Sequence, residues 1–296
     1  MSDARVAIIG GSGFYEMEGL TDQREVRVDT PFGEPSDAIL LGTLGDARVA
    51  FLPRHGKGHR ILPGEVPARA NIYALKTLGV ERIVSVNAVG SLREEIAPRH
   101  MVVPDQLIDR TVARPSTFFG EGLVAHVSLA DPFCPELRRL LATGARTTGT
   151  TVHETGAALV IEGPAFSTRA ESRLHRAWGA DLVSMTMLPE AKLAREAGIC
   201  YAALACVTDY DSWWEAHAEV TAQMILDNLL LTVEEARRAV AATIESLPSE
   251  RSCSCASALR DALVTSPSLV PEGTARKLAP IIGEYVSSAD EGYGRK

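Results

Sequence analysis

The stretch Cys200–Asp211, CYAALACVTDYD, joins a continuous apolar run to two carboxylates that stand two residues apart. The apolar part, Cys200–Val207, predicts a buried β-strand that ends at polar residues. Asp209 and Asp211 follow this strand directly, and carboxylates in that position are costly to bury unless a partner stabilises them. The pattern favours a binding site at the strand end over an ordinary surface turn.

The rest of the chain repeats this alternation of strands and polar segments. Short runs rich in Val and Ile alternate with amphipathic stretches, which is the pattern of a layered α/β domain. Open α/β sheets bind ligands outside the carboxyl ends of their strands, so side chains that follow strands are candidates for one composite site. The strand candidates are Arg5–Ile9, Val49–Leu52, Arg82–Val86, Met101–Val103, Ala158–Ile161 and Cys200–Val207.

Helix candidates lie between these strands. In Glu65–Leu78 apolar residues recur three or four positions apart, which gives one apolar stripe. Glu190–Gly198 follows a proline that fits a first helical turn and closes on a glycine that fits a helix end. Glu219–Leu247 also has a helical pattern, in which we expect a break. We expect one domain with a C-terminal extension and a disordered end from about Ser287.

The bulk composition excludes several classes of function. The 296 residues are 46% hydrophobic and 23% charged, which is ordinary for a globular protein. The formal net charge of −8 and the lack of a Lys/Arg cluster argue against a nucleic-acid partner. There is no secretory signal, and the longest apolar stretch, Ala197–Val207, is about half of what a membrane span needs. The 5 cysteines do not indicate a disulfide scaffold, so we expect a cytoplasmic protein.

Two segments after strands are suited to binding an anion. In Gly10–Gly13 the glycines let backbone N–H groups approach an anion, and Ser12 adds a hydroxyl donor. The spacing fits neither the dinucleotide fingerprint nor a Walker A loop. Arg54 and His55 combine a guanidinium fork with an imidazole donor, which suits phosphate. An ordinary turn is the alternative for each segment, and the two glycines between His55 and His59 disfavour a helical metal-binding pair.

Three further segments could shape a cavity for an organic ligand. Asn87–Ser91 has small residues that would let a ligand pack against the backbone, or that simply form a turn. Phe166 beside Ser167 could stack on a planar ring without blocking its edge. Met185 offers a soft wall for a sugar, and Thr186 a hydroxyl donor. Core packing is the alternative for Phe166 and Met185.

Taken together, these segments resemble the methylthioadenosine phosphorylase branch of the trimeric purine nucleoside phosphorylase family, nearly from Arg5 to Leu247. The resemblance implies an α/β fold of the three-layer phosphorylase/hydrolase-like kind, with a mixed β-sheet flanked by helices. The nucleoside phosphorylase domain would span residues 1–250, and 251–296 would be a helical extension of the same domain. The resemblance also implies a homotrimer or a dimer of trimers. The segments that carry it are VDTPFGEPSDA (Val28–Ala38), GSLREEI (Gly90–Ile96), IDRTVARP (Ile108–Pro115), IEGPAFSTRAES (Ile161–Ser172) and TDYDSW (Thr208–Trp213).

The resemblance also assigns roles to single residues. The phosphate shell would consist of Ser12, Arg54, His55, Ala88 and Thr186. The nucleoside site would be lined by Phe166, Ser167, Met185, Thr208, Asp209, Asp211, Ala222, Ile225 and, from the neighbouring subunit, His126. Met185 would lie against the ribose and Phe166 against the base.

Five positions bear on the substrate. Relatives that act on 6-oxopurines carry a glutamate where this chain has Ser167 and an asparagine where it has Asp209. Carboxylates accept from an amino group but repel a carbonyl oxygen, so Asp209 and Asp211 would favour adenine. Ala222 and Ile225 match apolar positions that receive a methylthio group. The resemblance therefore implies phosphorolysis of S-methyl-5′-thioadenosine to adenine and 5-methylthioribose 1-phosphate, with a broader phosphorylase acting on adenosine, inosine or methylthioinosine as the alternative.

The expected mechanism follows from charge. Phosphate attacks the anomeric carbon as the purine leaves, and Asp209, protonated or sharing its proton with N7, stabilises the departing base. Phosphate is a co-substrate, and we expect no metal and no organic cofactor in the reaction. A hydrolase would use water where phosphate sits, and a non-catalytic nucleoside-binding protein would not need Asp209. The predicted anion donors argue against the first, and the predicted acid together with these donors argues against the second.

The C-terminal extension opens on a pair of cysteines, Cys253 and Cys255, separated by one serine. A paired-cysteine motif at this place recurs in some thermophilic relatives, where it is linked to disulfides. Two free thiols are the alternative.

Overall fold

One mixed β-sheet forms the centre of the computed structural model, which describes residues 3–11, 17–214 and 221–287. Its main path runs in the order β2-β3-β4-β1-β5-β10-β9-β7, and β11, β6 and β8 continue the sheet from β5 on a separate branch. The strands are β1 (Val6–Gly10), β2 (Leu20–Val26), β3 (Ile39–Leu44), β4 (Ala47–Pro53), β5 (Arg82–Ser91), β6 (Met101–Val102), β7 (Gln106–Arg110), β8 (Val152–His153), β9 (Ala157–Ile161), β10 (Leu182–Ser184) and β11 (Cys200–Asp209).

Strand β5 organises the sheet because it changes partners along its length. Its first part pairs in parallel with β1, up to Ser85, and its last two residues, Gly90 and Ser91, pair antiparallel with β10. On its other edge β11 runs parallel to it from Arg82 to Gly90. Between the two pairings, Val86–Val89 are paired only with β11 within the described sheet, so β1 and β10 diverge there. This divergence opens a gap at the carboxyl ends of the strands.

Helices cover both faces of the sheet. On one face the buried core includes Ile72, Leu75 and Leu193, and on the other it includes Leu137 and Val240. The first face carries α1, α4 and α7, and the second carries α2 and α5, so the predicted α/β fold with three layers is confirmed. The helices are α1 (Ala68–Thr77), α2 (Pro135–Arg146), α3 (Arg169–Ala177), α4 (Met187–Glu196), α5 (Ala222–Glu245), α6 (Glu272–Lys277) and α7 (Ala279–Ser287).

All six predicted strands form, and two helix predictions need correction. The first helix starts at Ala68 and not at Glu65, because Pro63–Glu65 is a separate 3₁₀ turn. The break expected in Glu219–Leu247 is wrong: α5 is one continuous helix without proline or glycine. The Thr232 hydroxyl donates to the carbonyl oxygen of Asn228, one turn earlier, at 3.2 Å, and this hydrogen bond does not interrupt the helix.

The C-terminal segment packs onto the first face of the sheet. Leu259, Leu278 and Ile282 belong to the same buried cluster as α1 and α4. The Tyr73 hydroxyl donates to the carbonyl oxygen of Lys277 at 2.9 Å and so joins α1 to the end of α6. The end predicted to be disordered falls on residues 288–296, which lie outside the described residues. Within the described ranges, no helix has both the length and the apolar character to cross a bilayer.

Candidate active site

The gap beside β5 is a cavity at the carboxyl ends of the strands. It lies where β1 and β10 diverge and is closed on one side by the first turns of α5. It is lined by 11 of the predicted site residues: Arg54, His55, Ala88, Phe166, Ser167, Met185, Thr186, Thr208, Asp209, Asp211 and Ile225. Strands far apart in the chain therefore deliver the candidate side chains to one place, as the positions after strands predict.

Three predicted residues are not among the lining. Ser12 lies outside the described residues, and Gly11 beside it does line the cavity. Ala222, the first residue of α5, is exposed, and Leu226 and Leu229 line the cavity with Ile225. His126 is exposed away from the cavity, as a residue contributed to a neighbouring subunit would be, and that role stays a prediction.

Arg54 is the most buried charged group at the cavity, with 2% of its surface exposed. Its Nε donates to Glu190 Oε1 at 2.6 Å, and its Nη2 donates to Ser85 Oγ at 2.6 Å. The carboxylate of Glu190 also accepts from the Tyr201 hydroxyl at 2.9 Å. The Arg54 guanidinium, expected to bind a phosphate, therefore forms an ion pair with the buried Glu190 carboxylate. This ion pair fixes the position of Arg54 at the cavity wall.

His55 lines the cavity as a neutral ring. Its Nδ1 lies 2.8 Å from the carbonyl oxygen of Ile61, and because a carbonyl only accepts, Nδ1 carries the proton. Burial, and next the charge of Arg54, lower the pKa of His55 to about 4, so the ring is uncharged at neutral pH. The sequence predicts that the His55 ring donates to an anion. Because its proton lies on Nδ1, the other nitrogen, Nε2, can only accept a hydrogen bond.

A polar chain continues from Arg54 to Thr186. Ser85 Oγ lies 3.0 Å from Asn87 Oδ1, and Asn87 Nδ2 donates to Thr186 Oγ1 at 3.0 Å. Because the Thr186 oxygen already accepts from Asn87, its own proton can be donated to a ligand. Ala88 stands next to Asn87, exposed in the middle of an otherwise buried strand. Arg54, His55, Ala88 and Thr186 thus form one polar side of the cavity.

A pair of buried carboxylates also lines the cavity. Asp209 is 5% exposed, and its two oxygens accept from the backbone N–H of Asp211 at 2.8 Å and from the Thr208 hydroxyl at 2.7 Å. Burial, and to a lesser degree the charge of Asp211, raise the pKa of Asp209 to about 6. Burial raises the pKa of Asp211 as well. Asp209 can therefore hold or release a proton near neutral pH, as a general acid must.

The backbone brings this pair close to β5. The register between β11 and β5 shifts between Val207 and Asp209, and such a bulge turns the following side chain toward a new direction. A Cβ atom on Gly90 would lie 2.9 Å from Asp209 Oδ1. Glycine at position 90 therefore lets the backbone of β5 lie close to the Asp209 carboxylate without a steric clash. This contact explains the small residue here in Asn87–Ser91.

Phe166, Ser167 and Met185 complete the predicted lining of the cavity. Phe166 is 40% exposed, so the alternative that it is a core residue is wrong. A Cβ atom on Gly163, whose φ is +65°, would lie 2.6 Å from the sulfur of Met185, so the glycine lets the methionine lie flat against the loop. Ser167 Oγ and Asp211 Oδ2 are buried and have no hydrogen-bond partner within 3.5 Å in the described part of the chain, although the Ser167 and Ser172 hydroxyls are near enough to Asp211 to oppose the rise of its pKa. Such atoms are the usual mark of a polar ligand site.

Sequence reasoning missed two residues that hold the site together. Glu190 anchors Arg54, and the demand of a buried arginine for a carboxylate is the signal that could have found it. Arg114 is buried and donates to Glu162 Oε1 at 2.9 Å, to the carbonyl oxygen of Leu188 at 3.0 Å and to that of Met185. It fastens the loops after β9 and β10 to each other. Its presence in the IDRTVARP segment was the only sequence signal.

The raised pKa of Asp209 predicts how stability depends on pH. An unfolded aspartate has a pKa of ~3.9, so the folded protein holds the Asp209 proton more tightly than the unfolded chain does. Protonation of Asp209 therefore stabilises the folded state. This stabilisation is complete below about pH 4 and is lost as the pH rises through about 6. Asp209→Asn removes the titration. We expect the variant to gain about 2–3 kcal/mol of unfolding free energy over the wild type between about pH 4 and about pH 8. Urea unfolding of both proteins at the two pH values measures this gain, and an equal difference at both would refute the pKa shift.

Fold and site together define an α/β protein whose one cavity, at the carboxyl ends of the strands, holds a buried arginine and two buried carboxylates. The chain belongs to the phosphorylase superfamily, whose sequence profile matches residues 5–245. The family resemblance drawn from the sequence segments is thereby confirmed.

The relatives of this chain are similar along almost its whole length. It is 55% identical to an S-methyl-5′-thioadenosine phosphorylase from Gloeobacter violaceus, over 95% of this chain and 96% of that protein. It is 53% identical to one from Geobacter sulfurreducens, over 95% and 99%. The crystal structure of a methylthioadenosine phosphorylase from an Antarctic soil metagenomic library matches with a TM-score of 0.91 at 49% identity, over 95% of this chain and 99% of that one. Methylthioadenosine phosphorylase from Schistosoma mansoni in complex with adenine matches with a TM-score of 0.80 at 40% identity, over 84% and 93%.

Proposed function

We propose that this chain cleaves S-methyl-5′-thioadenosine with phosphate and releases adenine and 5-methylthioribose 1-phosphate. The observation that carries the proposal is that Arg54, His55 and Thr186 line the same cavity as the buried carboxylates Asp209 and Asp211. The relatives named above support the choice of substrate. The chain would thus be a pentosyltransferase of purine and methionine salvage.

Phosphate would bind on the side of Arg54, His55, Ala88 and Thr186, with Ser12 completing the shell. Thr186 and the Ala88 backbone would donate to phosphate oxygens, and the guanidinium would supply positive charge. His55 Nε2 would accept the proton of hydrogenphosphate, which leaves the other oxygens to attack. This assignment rests on the neutral ring held by Ile61 and on the hydroxyl proton freed by Asn87.

Adenine would bind between Phe166 and the carboxylates. Protonated Asp209 would donate to N7 as the glycosidic bond breaks, and ionised Asp211 would accept from the 6-amino group. Ser167 carries a neutral hydroxyl, which can donate to N1 of adenine. The partnerless Ser167 Oγ and Asp211 Oδ2 support this placement. Met185 would lie against the ribose, whose cationic character in the transition state phosphate stabilises from the opposite face.

The 5′ group would lie against the first turns of α5. Ile225, Leu226 and Leu229 make this wall apolar, which favours a methylthio group over a hydroxyl. Ala222 is exposed at the start of α5, and its contact with the 5′ group stays a prediction. His126 would come from a neighbouring subunit of a homotrimer or of a dimer of trimers. The reaction would need no metal or organic cofactor, and the protein would work in the cytoplasm.

A substrate panel tests the proposed specificity. Base release is followed from methylthioadenosine, adenosine and inosine, each with and without phosphate. We expect release to require phosphate, and kcat/KM for methylthioadenosine to exceed that for adenosine by about 10–200-fold, the range for one apolar group in an apolar pocket. Inosine should be the poorest substrate because its 6-oxo group faces a carboxylate. Inosine cleaved as fast as methylthioadenosine would overturn the adenine assignment.

Two neighbouring leucines provide a matched pair of variants for the 5′ wall. Leu229 lines the cavity, whereas Leu230 does not and is 63% exposed. We expect Leu229→Asn to reduce the preference for methylthioadenosine over adenosine about tenfold, and Leu230→Asn to leave it unchanged. An unchanged ratio in Leu229→Asn would place the 5′ group elsewhere.

A further inference from the structure

Four of the five cysteines meet at one point, at the opposite end of β11 from the carboxylates. The sulfur atoms of Cys134, Cys200, Cys253 and Cys255 all lie within 4.8 Å of one another. Three of them are buried and Cys253 is half-buried, which leaves a route from solvent. The fifth, Cys206, is buried farther along the same strand and takes no part in the cluster.

The four cysteines come from three parts of the chain that other contacts hold in place. Cys134 begins α2, and its backbone N–H donates to the carbonyl oxygen of Tyr201 at 2.8 Å. The segment that carries Cys253 and Cys255 is tied to α2, because the backbone N–H of Ser252 donates to Glu136 Oε2 at 3.0 Å. The convergence of the sulfurs is therefore fixed by the fold around them.

The spacing of the sulfurs fits a single tetrahedral ion. Zinc binds thiolates at ~2.3 Å, which places the four sulfurs about 3.8 Å apart. The Cys200 and Cys253 sulfurs are 3.3 Å apart, and no pair in the cluster exceeds 4.8 Å, so closure on an ion needs shifts below about 1 Å. Two disulfides would need two pairs of sulfurs at ~2.05 Å, whereas all four cysteines are free in this structure.

Positive charge lies beside the cluster. Arg195 Nη1 lies 3.8 Å from the sulfur of Cys255. Cys134 is the N-cap residue of α2, so its sulfur lies at the helix end where backbone N–H groups are unpaired. A cation and helix N-terminal amides stabilise the net negative charge that four thiolates and one divalent ion carry together.

We propose that Cys134, Cys200, Cys253 and Cys255 bind one zinc ion, which fastens the C-terminal segment to α2 and to the start of β11. Binding forms four Zn–S bonds and releases the four thiol protons to solvent. The ion is structural, because the nine-residue separation of Cys200 and Asp209 along β11 corresponds to roughly 30 Å at ~3.3 Å per residue. It therefore takes no part in the chemistry of the cavity, for which we expect no metal.

Metal analysis of the whole protein tests this proposal. The chain is produced with zinc in the medium, without a metal-affinity tag, and purified in a reducing buffer. We expect about one zinc per chain by plasma mass spectrometry, retained through dialysis. Replacement by cobalt should give thiolate-to-metal charge-transfer bands and the intense visible bands of a tetrahedral four-sulfur site.

Two cysteine variants separate the site from a general effect of losing a thiol. Cys253→Ser should lose the zinc and the cobalt bands and melt at a lower temperature, whereas Cys206→Ala should keep the full metal content. Metal-free protein in which all 5 thiols react on unfolding would overturn the proposal. So would cysteines lost to disulfides under the same reducing conditions, seen as a mass deficit of the intact chain.

Discussion

Asp209→Ala is expected to lower kcat/KM for methylthioadenosine by about 10²-fold or more, the scale of a lost general acid. The purine leaves as an anion unless N7 receives a proton, and Asp209 is the buried group that can supply it. Its raised pKa, near 6, keeps a protonated fraction close to neutral pH. Steady-state kinetics at saturating phosphate measures the loss, which should appear mainly in kcat.

The control for this variant is an aspartate of the same charge outside the site. Asp46 is exposed in the turn between β3 and β4, so Asp46→Ala should retain wild-type kinetics. Circular dichroism should show both variants folded. Turnover of Asp209→Ala within a few-fold of the wild type would remove Asp209 from the mechanism.

Arg54→Met is expected to have the largest effect on stability, a loss of about 3–5 kcal/mol in the free energy of unfolding. The Arg54–Glu190 pair is almost inaccessible to solvent, with Nε and Oε1 2.6 Å apart. Removal of the arginine leaves Glu190 as a buried charge whose remaining partners are neutral hydroxyls. The same change removes the positive charge from the proposed phosphate side. Urea unfolding and the dependence of rate on phosphate concentration measure the two effects.

A double variant separates stability from phosphate binding. Replacing both partners, Arg54→Met with Glu190→Leu, removes the unpaired charge, so most of the lost stability should return. Activity should not return, because the phosphate side still lacks its cation. Recovery of activity in the double variant would show that Arg54 acts only through the fold.

Much of the fold was predictable because buried strands are read directly from composition. Cys200–Val207 and the other apolar runs became strands, and the amphipathic stretches became helices on both faces. The start of α1 and the continuity of α5 were not predictable, since proline and threonine tolerate more than one local conformation. The switch of partners along β5, which opens the cavity, depends on contacts between β1, β10 and β11 and has no local signal.

The site was predictable where a residue follows a strand, and not where its role depends on a distant partner. Asp209 ends a predicted strand and was found in this way, whereas Met185 follows β10, which is not among the predicted strands. Glu190 lies 136 residues from Arg54 in the chain, so no spacing relates the two. The proton position on His55 was likewise hidden, because it is set by the carbonyl oxygen of Ile61. The cysteine cluster shows the same limit, since only Cys253 and Cys255 are neighbours in sequence.

Phosphorus NMR of the reaction products tests directly whether phosphate cleaves the nucleoside. Methylthioadenosine is incubated with the enzyme and phosphate, and the sugar product is measured beside the released adenine. If phosphate attacks the anomeric carbon, a sugar 1-phosphate resonance of inverted anomeric configuration should grow in equal amount with adenine. No adenine should be released without phosphate. Free methylthioribose formed at the same rate without phosphate would contradict cleavage by phosphate.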